Sequence, residues 1–73
     1  MEKLANKYVN MGKEWLVGEY GEWENKTTEI GIDDDEMELV NDLIEAIYEH
    51  EDVYSCKKTT SCGLVCVKIE FLG

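Results

Sequence analysis

The sequence predicts an α+β domain in which one small antiparallel sheet carries two helices on a face. Three observations lead there. Apolar residues recur at helical spacing between Met37 and Tyr48, they alternate with polar ones between Val65 and Phe71, and glycine-containing turn signals punctuate the rest. With 73 residues and no linker or low-complexity tract, the chain reads as a single domain over 1–73. An apolar content of 44% and seven aromatics favour a folded chain despite a net charge of −10.

Residues 2–11 read as a short helix. Leu4, Tyr8 and Met11 share one face, with Ala5 and Val9 beside them, and Gly12 is a natural stop. Residues 14–32 read as a β-hairpin. Its first arm, Glu14 to Tyr20, is rich in strand formers, Gly21 punctuates, and a second arm runs from about Trp23 to Ile32. Within that arm Thr28, Ile30 and Ile32 alternate with Glu29 and Gly31, the pattern of a strand with one wet face. Trp15, Tyr20 and Trp23 are then expected to be core aromatics of a small sheet, with Trp23, between Glu22 and Glu24, the most exposed.

Residues 33–51 read as one long amphipathic helix. Asp33 is a suitable N-cap, Glu36 completes a capping box, and Met37, Val40, Leu43, Ile44, Ile47 and Tyr48 form the apolar stripe. Residues 53–72 read as a second hairpin turning near Thr59–Gly63. The predicted order is α-β-β-α-β-β. The core of so short a chain is thin, so a homodimer through the strand Leu64–Phe71, taken as a sheet edge, is an attractive way to thicken it.

Charge is distributed unevenly along these elements. Residues 14–52 hold fifteen carboxylates against a single lysine, Lys26, a block of −14 between two ends of +2 each. Such a field repels nucleic acid and anionic membrane and attracts basic protein surfaces. The chain has no arginine, which removes the bidentate phosphate clamp and argues further against direct nucleic-acid binding. No apolar run approaches the roughly 18–20 residues that span a bilayer. The N-terminus lacks the basic-then-apolar order of a signal peptide, so a cytosolic protein is expected.

Turned at about 100° per residue, the long helix collects Asp34, Asp35, Glu38, Asp42, Glu45, Glu49 and Asp52 within an arc of roughly 100°. These seven acids would span about 27 Å, one charge per roughly 4 Å, close to the ~3.4 Å rise per phosphate of one DNA strand. An ordinary solvated face mixes signs so that pairs one turn apart attract. Here six such pairs repel, at about 0.2–0.5 kcal/mol each, a load that solubility alone does not require of a small domain. Glu22, Trp23 and Glu24 add a flank with one aromatic anchor.

Other chemistry finds little footing. His50, Cys56, Cys62 and Cys66 are zinc-ligand types without a CxxC or knuckle spacing, so buried or half-buried free thiols are expected and no metal. Asp33 to Glu36 lack the alternating ligands and glycine of an EF-hand loop. His50 is the only histidine, and no third orienting group or oxyanion site accompanies it, so neither catalysis nor a cofactor is expected.

In size, in its central acidic block and in the acid row from Asp34 to Asp52, the chain resembles the small acidic proteins that bacteriophages make to disable host DNA-binding proteins. These include inhibitors of uracil-DNA glycosylase, some anti-CRISPR proteins, and a Bacillus-phage protein that occupies the DNA site of the nucleoid protein HU. The likeness is one of charge layout and not of signature residues. It implies a non-enzymatic DNA mimic in the host bacterial cytoplasm, bound to a basic host DNA-binding protein; the HU inhibitor fits best in length and α/β make-up, which makes HU the first guess for the target. The alternative is an anti-CRISPR-like inhibitor or adaptor that recognises its target mainly through apolar contacts.

Overall fold

A computed structural model describes residues 1–73. It contains α1 (Glu2–Tyr20), β1 (Thr27–Gly31), a 3₁₀ helix (Asp34–Leu39), α2 (Val40–Tyr48), β2 (Val53–Ser61) and β3 (Leu64–Phe71). The class is α+β, with two α-helices on one antiparallel sheet. The sheet has three strands in the order β1-β3-β2. The molecule is 16 Å thick along its shortest axis, the depth of one sheet and one helical layer.

The largest departure from the sequence pattern lies between residues 12 and 20. The predicted first arm of a hairpin is the second half of α1, so the sheet has three strands and not four. Ala5, Tyr8, Val9, Gly12 and Leu16 form one buried stripe whose spacing continues the helical period through Gly12. Docking of Leu16, fully buried, outweighs the strand propensity of Trp15, Leu16 and Val17. Gly12 is not a stop but a close-approach point: a β-carbon there would meet Thr28 Cγ2 at 3.0 Å. The helix ends instead at Gly21, whose φ of 79° is left-handed and whose N–H donates to the Val17 carbonyl at 2.9 Å.

Sheet register follows the alternation. β1 pairs with β3 from Thr27↔Glu70 to Gly31↔Cys66, and β2 pairs with β3 from Val53↔Phe71 to Ser61↔Leu64, with an irregularity between Val53 and Ser55. The β2–β3 hairpin is as predicted, and its turn is confined to Cys62 and Gly63. Both have positive φ (52° and 80°), the arrangement that matches the twist of a two-residue hairpin. β3 is the central strand, so the expected dimer across a free β3 edge has no edge to use.

The helices cover one face of the sheet. α1 packs on β1 and α2, and α2 packs on β2. Val67, Ile69 and Phe71 of β3, Val53 and Cys56 of β2, Leu43 and Ile47 of α2, and the α1 stripe make the core. The opposite face, including Glu29, Lys57, Lys68 and Glu70, is open and polar.

Candidate interaction surface

The predicted long acidic helix is divided. Its first part, Asp34–Leu39, is 3₁₀ and contains no buried residue, and only Val40–Tyr48 is α-helical. The reason is compositional: up to Leu39 the segment offers only Met37 as an inward apolar residue, and packing supplies most of a short helix's stability. Asp33 takes the N-cap position without a side-chain cap bond. Glu36 does not close a capping box. Its carboxylate accepts the Tyr8 hydroxyl at 2.5 Å, and Lys7 Nζ stands 3.7 Å from it.

This anchor ties the acidic segment to α1. Tyr8 is fully buried, and its hydroxyl also accepts the Asp33 N–H at 3.3 Å. Burial first, and the hydrogen bond to Glu36 second, push the Tyr8 phenol up to about 12.

The structure separates eight of the ten predicted residues into three groups and sets Asp34 and Asp52 apart. Asp35 and Glu38, three apart in a 3₁₀ helix, lie above one another about 6 Å apart along the axis. Asp42, Glu45 and the C-cap residue Glu49 share one exposed face of α2, at axial steps of about 4.5 and 6 Å. Asp34 is exposed at the start of the segment. Asp52 leaves the row: it lies beyond α2, half-buried, and its carboxylate accepts Lys13 Nζ at 2.6 Å. The His50 Nδ1 accepts the Asp52 N–H at 3.1 Å, which closes the turn after α2. The row therefore has one charge per about 5–6 Å, sparser than helical geometry over the whole segment implied. Its repulsive neighbours fall from six pairs to three: Asp35/Glu38, Asp42/Glu45 and Glu45/Glu49.

The third group is the connection after α1. Glu22 and Glu24 are exposed, with Lys26 Nζ 3.5 Å from Glu22. Trp23 is not a free anchor. Its ring meets Phe71 edge-on at 5.5 Å, and Lys13 Nζ stands 4.3 Å from its centroid. The fold brings this connection to the Asp52 end of the acidic segment. The Leu72 N–H donates to the Asp52 carbonyl at 2.9 Å, the Asn25 N–H donates to the Leu72 carbonyl at 3.3 Å, and Lys13 bridges Asp52 to Trp23.

The aromatics are partitioned in the reverse of the expected order. Trp15 and Tyr20, expected in the core, are 54% and 61% exposed. The signal that reveals this is the α1 stripe itself: on a helix with Tyr8, Gly12 and Leu16 inward, Trp15 lies at the stripe's border. Cys56 is buried, and burial pushes its thiol up to about 11. Cys66 is half-buried, whereas Cys62 is exposed at the hairpin tip, outside the expected burial. No three His, Cys, Asp or Glu side chains converge as a metal site, and no helix is long and apolar enough to cross a membrane.

No protein-family model, curated protein or solved structure matches the chain. The functional reading therefore rests on its own geometry and charge.

Proposed function

We propose that this protein is a phage-encoded DNA mimic that binds the basic DNA-contacting surface of a host protein and blocks its DNA binding, with the nucleoid protein HU the first target to test. One observation carries the reading. Asp35, Glu38, Asp42, Glu45 and Glu49 are all exposed along one continuous helical segment that contains no lysine. Glu36 and Asp52, the acids held by Tyr8 and Lys13, lie outside that row. The tethered acids fix the segment to the body, and the five acids of the row stay free for a partner.

A row of this kind speeds encounter with a basic surface and weakens as salt screens it. Competition with a DNA duplex for HU, followed by electrophoretic mobility, tests it directly. The wild-type chain should displace DNA at about 0.05 M salt and lose about tenfold or more in potency near 0.5 M. Changing Glu38, Asp42, Glu45 and Glu49 together to Gln should abolish inhibition and leave the fold intact or slightly more stable, because two repulsive pairs on α2 disappear. A folded quadruple variant that still inhibits would remove the site from these residues. Salt-independent inhibition would favour the alternative, an inhibitor or adaptor working through apolar contacts, for which the exposed Trp15 and Tyr20 are the observation in hand.

A further inference from the structure

We propose that the outer edge of β1 is a docking site for an extended, lysine- or arginine-bearing segment of a partner protein, which joins the sheet as a fourth strand beside Trp15. The backbone bonds fix which groups are free. The Phe71 N–H donates to the Lys26 carbonyl at 2.9 Å and the Ile32 N–H donates to the Val65 carbonyl at 3.0 Å, one at each end of β1. In the register Thr28↔Ile69 and Ile30↔Val67, these bonds assign the even-numbered residues of β1 to the ladder with β3. Thr27, Glu29 and Gly31 therefore turn their N–H and C=O groups outward, and no loop or cap bond reaches them.

The two edges of the sheet are treated differently. The β2 edge carries a register irregularity at Val53/Ser55 and the consecutive lysines Lys57 and Lys58, both devices that blunt strand addition. β1 has no irregularity, no proline and no lysine between Thr27 and Gly31. Beside it, Trp15 and Tyr20 border a shallow 300 Å³ pocket floored by Thr27, Thr28 and Glu29. An open strand edge next to two half-exposed aromatics is the layout of peptide recognition by strand addition, where backbone bonds supply affinity and side-chain pockets supply selectivity.

Charge names the occupant. Glu29 is the middle of the three outward residues. Its exposed carboxylate, opposite Lys68 in the ladder, accepts the Thr59 hydroxyl at 3.2 Å and keeps acceptor capacity for an incoming cation. Glu19 is exposed on α1 next to Tyr20. A residue directly opposite Glu29 lies on the same face of the sheet, so a lysine or arginine there is favoured and a carboxylate is not. A symmetric pairing of two β1 edges would set Glu29 against Glu29, between chains that each carry a net charge of −10. The flanking residues of the incoming strand point to the helical side, toward Trp15, where apolar side chains fit. An alternating apolar–basic segment meets both conditions. This surface shares no residue with the acidic row of the 3₁₀ helix and α2, and it supplies the hydrogen bonds that charge alone does not.

The test uses a capped peptide of alternating lysine and valine, and a twin N-methylated on the residues whose N–H would face β1. The twin keeps side chains and charge but cannot donate. Amide hydrogen exchange of the full chain is read by NMR, with Trp fluorescence alongside. At peptide concentrations about ten times Kd, the Thr27, Glu29 and Gly31 amides should exchange about tenfold more slowly, and the twin should protect none of them. Glu29→Lys should lose binding, Trp15→Ala should weaken it, and the quadruple glutamine variant of the acidic row should retain it. Failure of the row as a DNA mimic would thus leave this result standing, and the reverse. Equal binding of the twin would overturn the proposal. So would protection of the β2-edge amides of Cys56, Lys58 and Thr60 in place of those of β1, or protection that appears with protein concentration alone, which would mark a second copy as the occupant.

Discussion

Replacing Gly12 and Gly18 separately by alanine should move stability in opposite directions. Both lie within α1, where alanine is better than glycine by about 0.8–1.0 kcal/mol from propensity alone. A β-carbon at Gly18 meets nothing within 4 Å, so Gly18→Ala should retain that gain and stabilise by about 0.5–1 kcal/mol. At Gly12 the same atom stands 3.0 Å from Thr28 Cγ2 and 3.3 Å from both Ile30 Cδ1 and Phe71 Cζ. Thr28 and Ile30 are β-branched residues held in a strand, and Phe71 is buried, so they cannot all withdraw. Overpacking of this kind costs about 1–3 kcal/mol, which exceeds the propensity gain and leaves Gly12→Ala destabilised by about 1 kcal/mol. For a domain of this size 1 kcal/mol shifts Tm by about 4–8 °C, so the two variants should bracket the wild type in urea or thermal unfolding followed by circular dichroism. If Gly12→Ala were stabilised as much as Gly18→Ala, the close seat of α1 on the sheet would be wrong, and with it the exposure of Trp15 at the β1 edge.

Four further outcomes follow from the tethers and the thiols. Lys13→Ala removes a half-buried 2.6 Å contact to Asp52 and the cation over Trp23, and should cost about 1–2 kcal/mol with a change in Trp emission. Lys7→Ala, at 3.6 and 3.7 Å from Asp33 and Glu36 and half exposed, should cost under about 0.5 kcal/mol in the same unfolding assay. The Tyr8 phenol, raised from 10.0 to about 12, keeps its proton longer in the folded chain than in the unfolded one. Its stabilisation is therefore complete below pH 10 and lost as pH rises toward about 12, on the order of 2 kcal/mol in all. Cys56, raised from 9.0 to about 11, acts in the same direction one unit lower, so Tyr8→Phe should flatten only the upper part of the alkaline unfolding curve. Alkylation followed by mass spectrometry should modify Cys62 first, Cys66 more slowly, and Cys56 only as the chain unfolds.

How far the sequence could be read depended on whether an element's partner was local. The α2 stripe of Val40, Leu43, Ile44 and Ile47, the alternation Val65–Val67–Ile69–Phe71 and the β2–β3 hairpin carry their own period and turn residues, and each formed as the pattern required. β1 is legible in Thr28, Ile30 and Ile32 for the same reason. The length of α1 was not, because a glycine within a helical pattern reads locally as a stop. Its use at position 12 is set by Thr28, Ile30 and Phe71, distant in the chain. The acids behave likewise. Nothing near Glu36 or Asp52 distinguishes them from Asp35 or Glu49, since their tethers, Tyr8 and Lys13, lie 28 and 39 residues away.

By itself, then, the sequence determined the class, the helix-forming and strand-forming stripes, and the concentration of charge in the middle of the chain. These depend on composition and on periods of two and 3.6 residues, which the backbone imposes wherever a segment folds. Only the tertiary structure decided that α1 runs to Tyr20, that β3 is central and β1 an open edge, and which carboxylates face water. Those features are settled by packing and pairing between residues far apart in the chain, whose energies no local window contains.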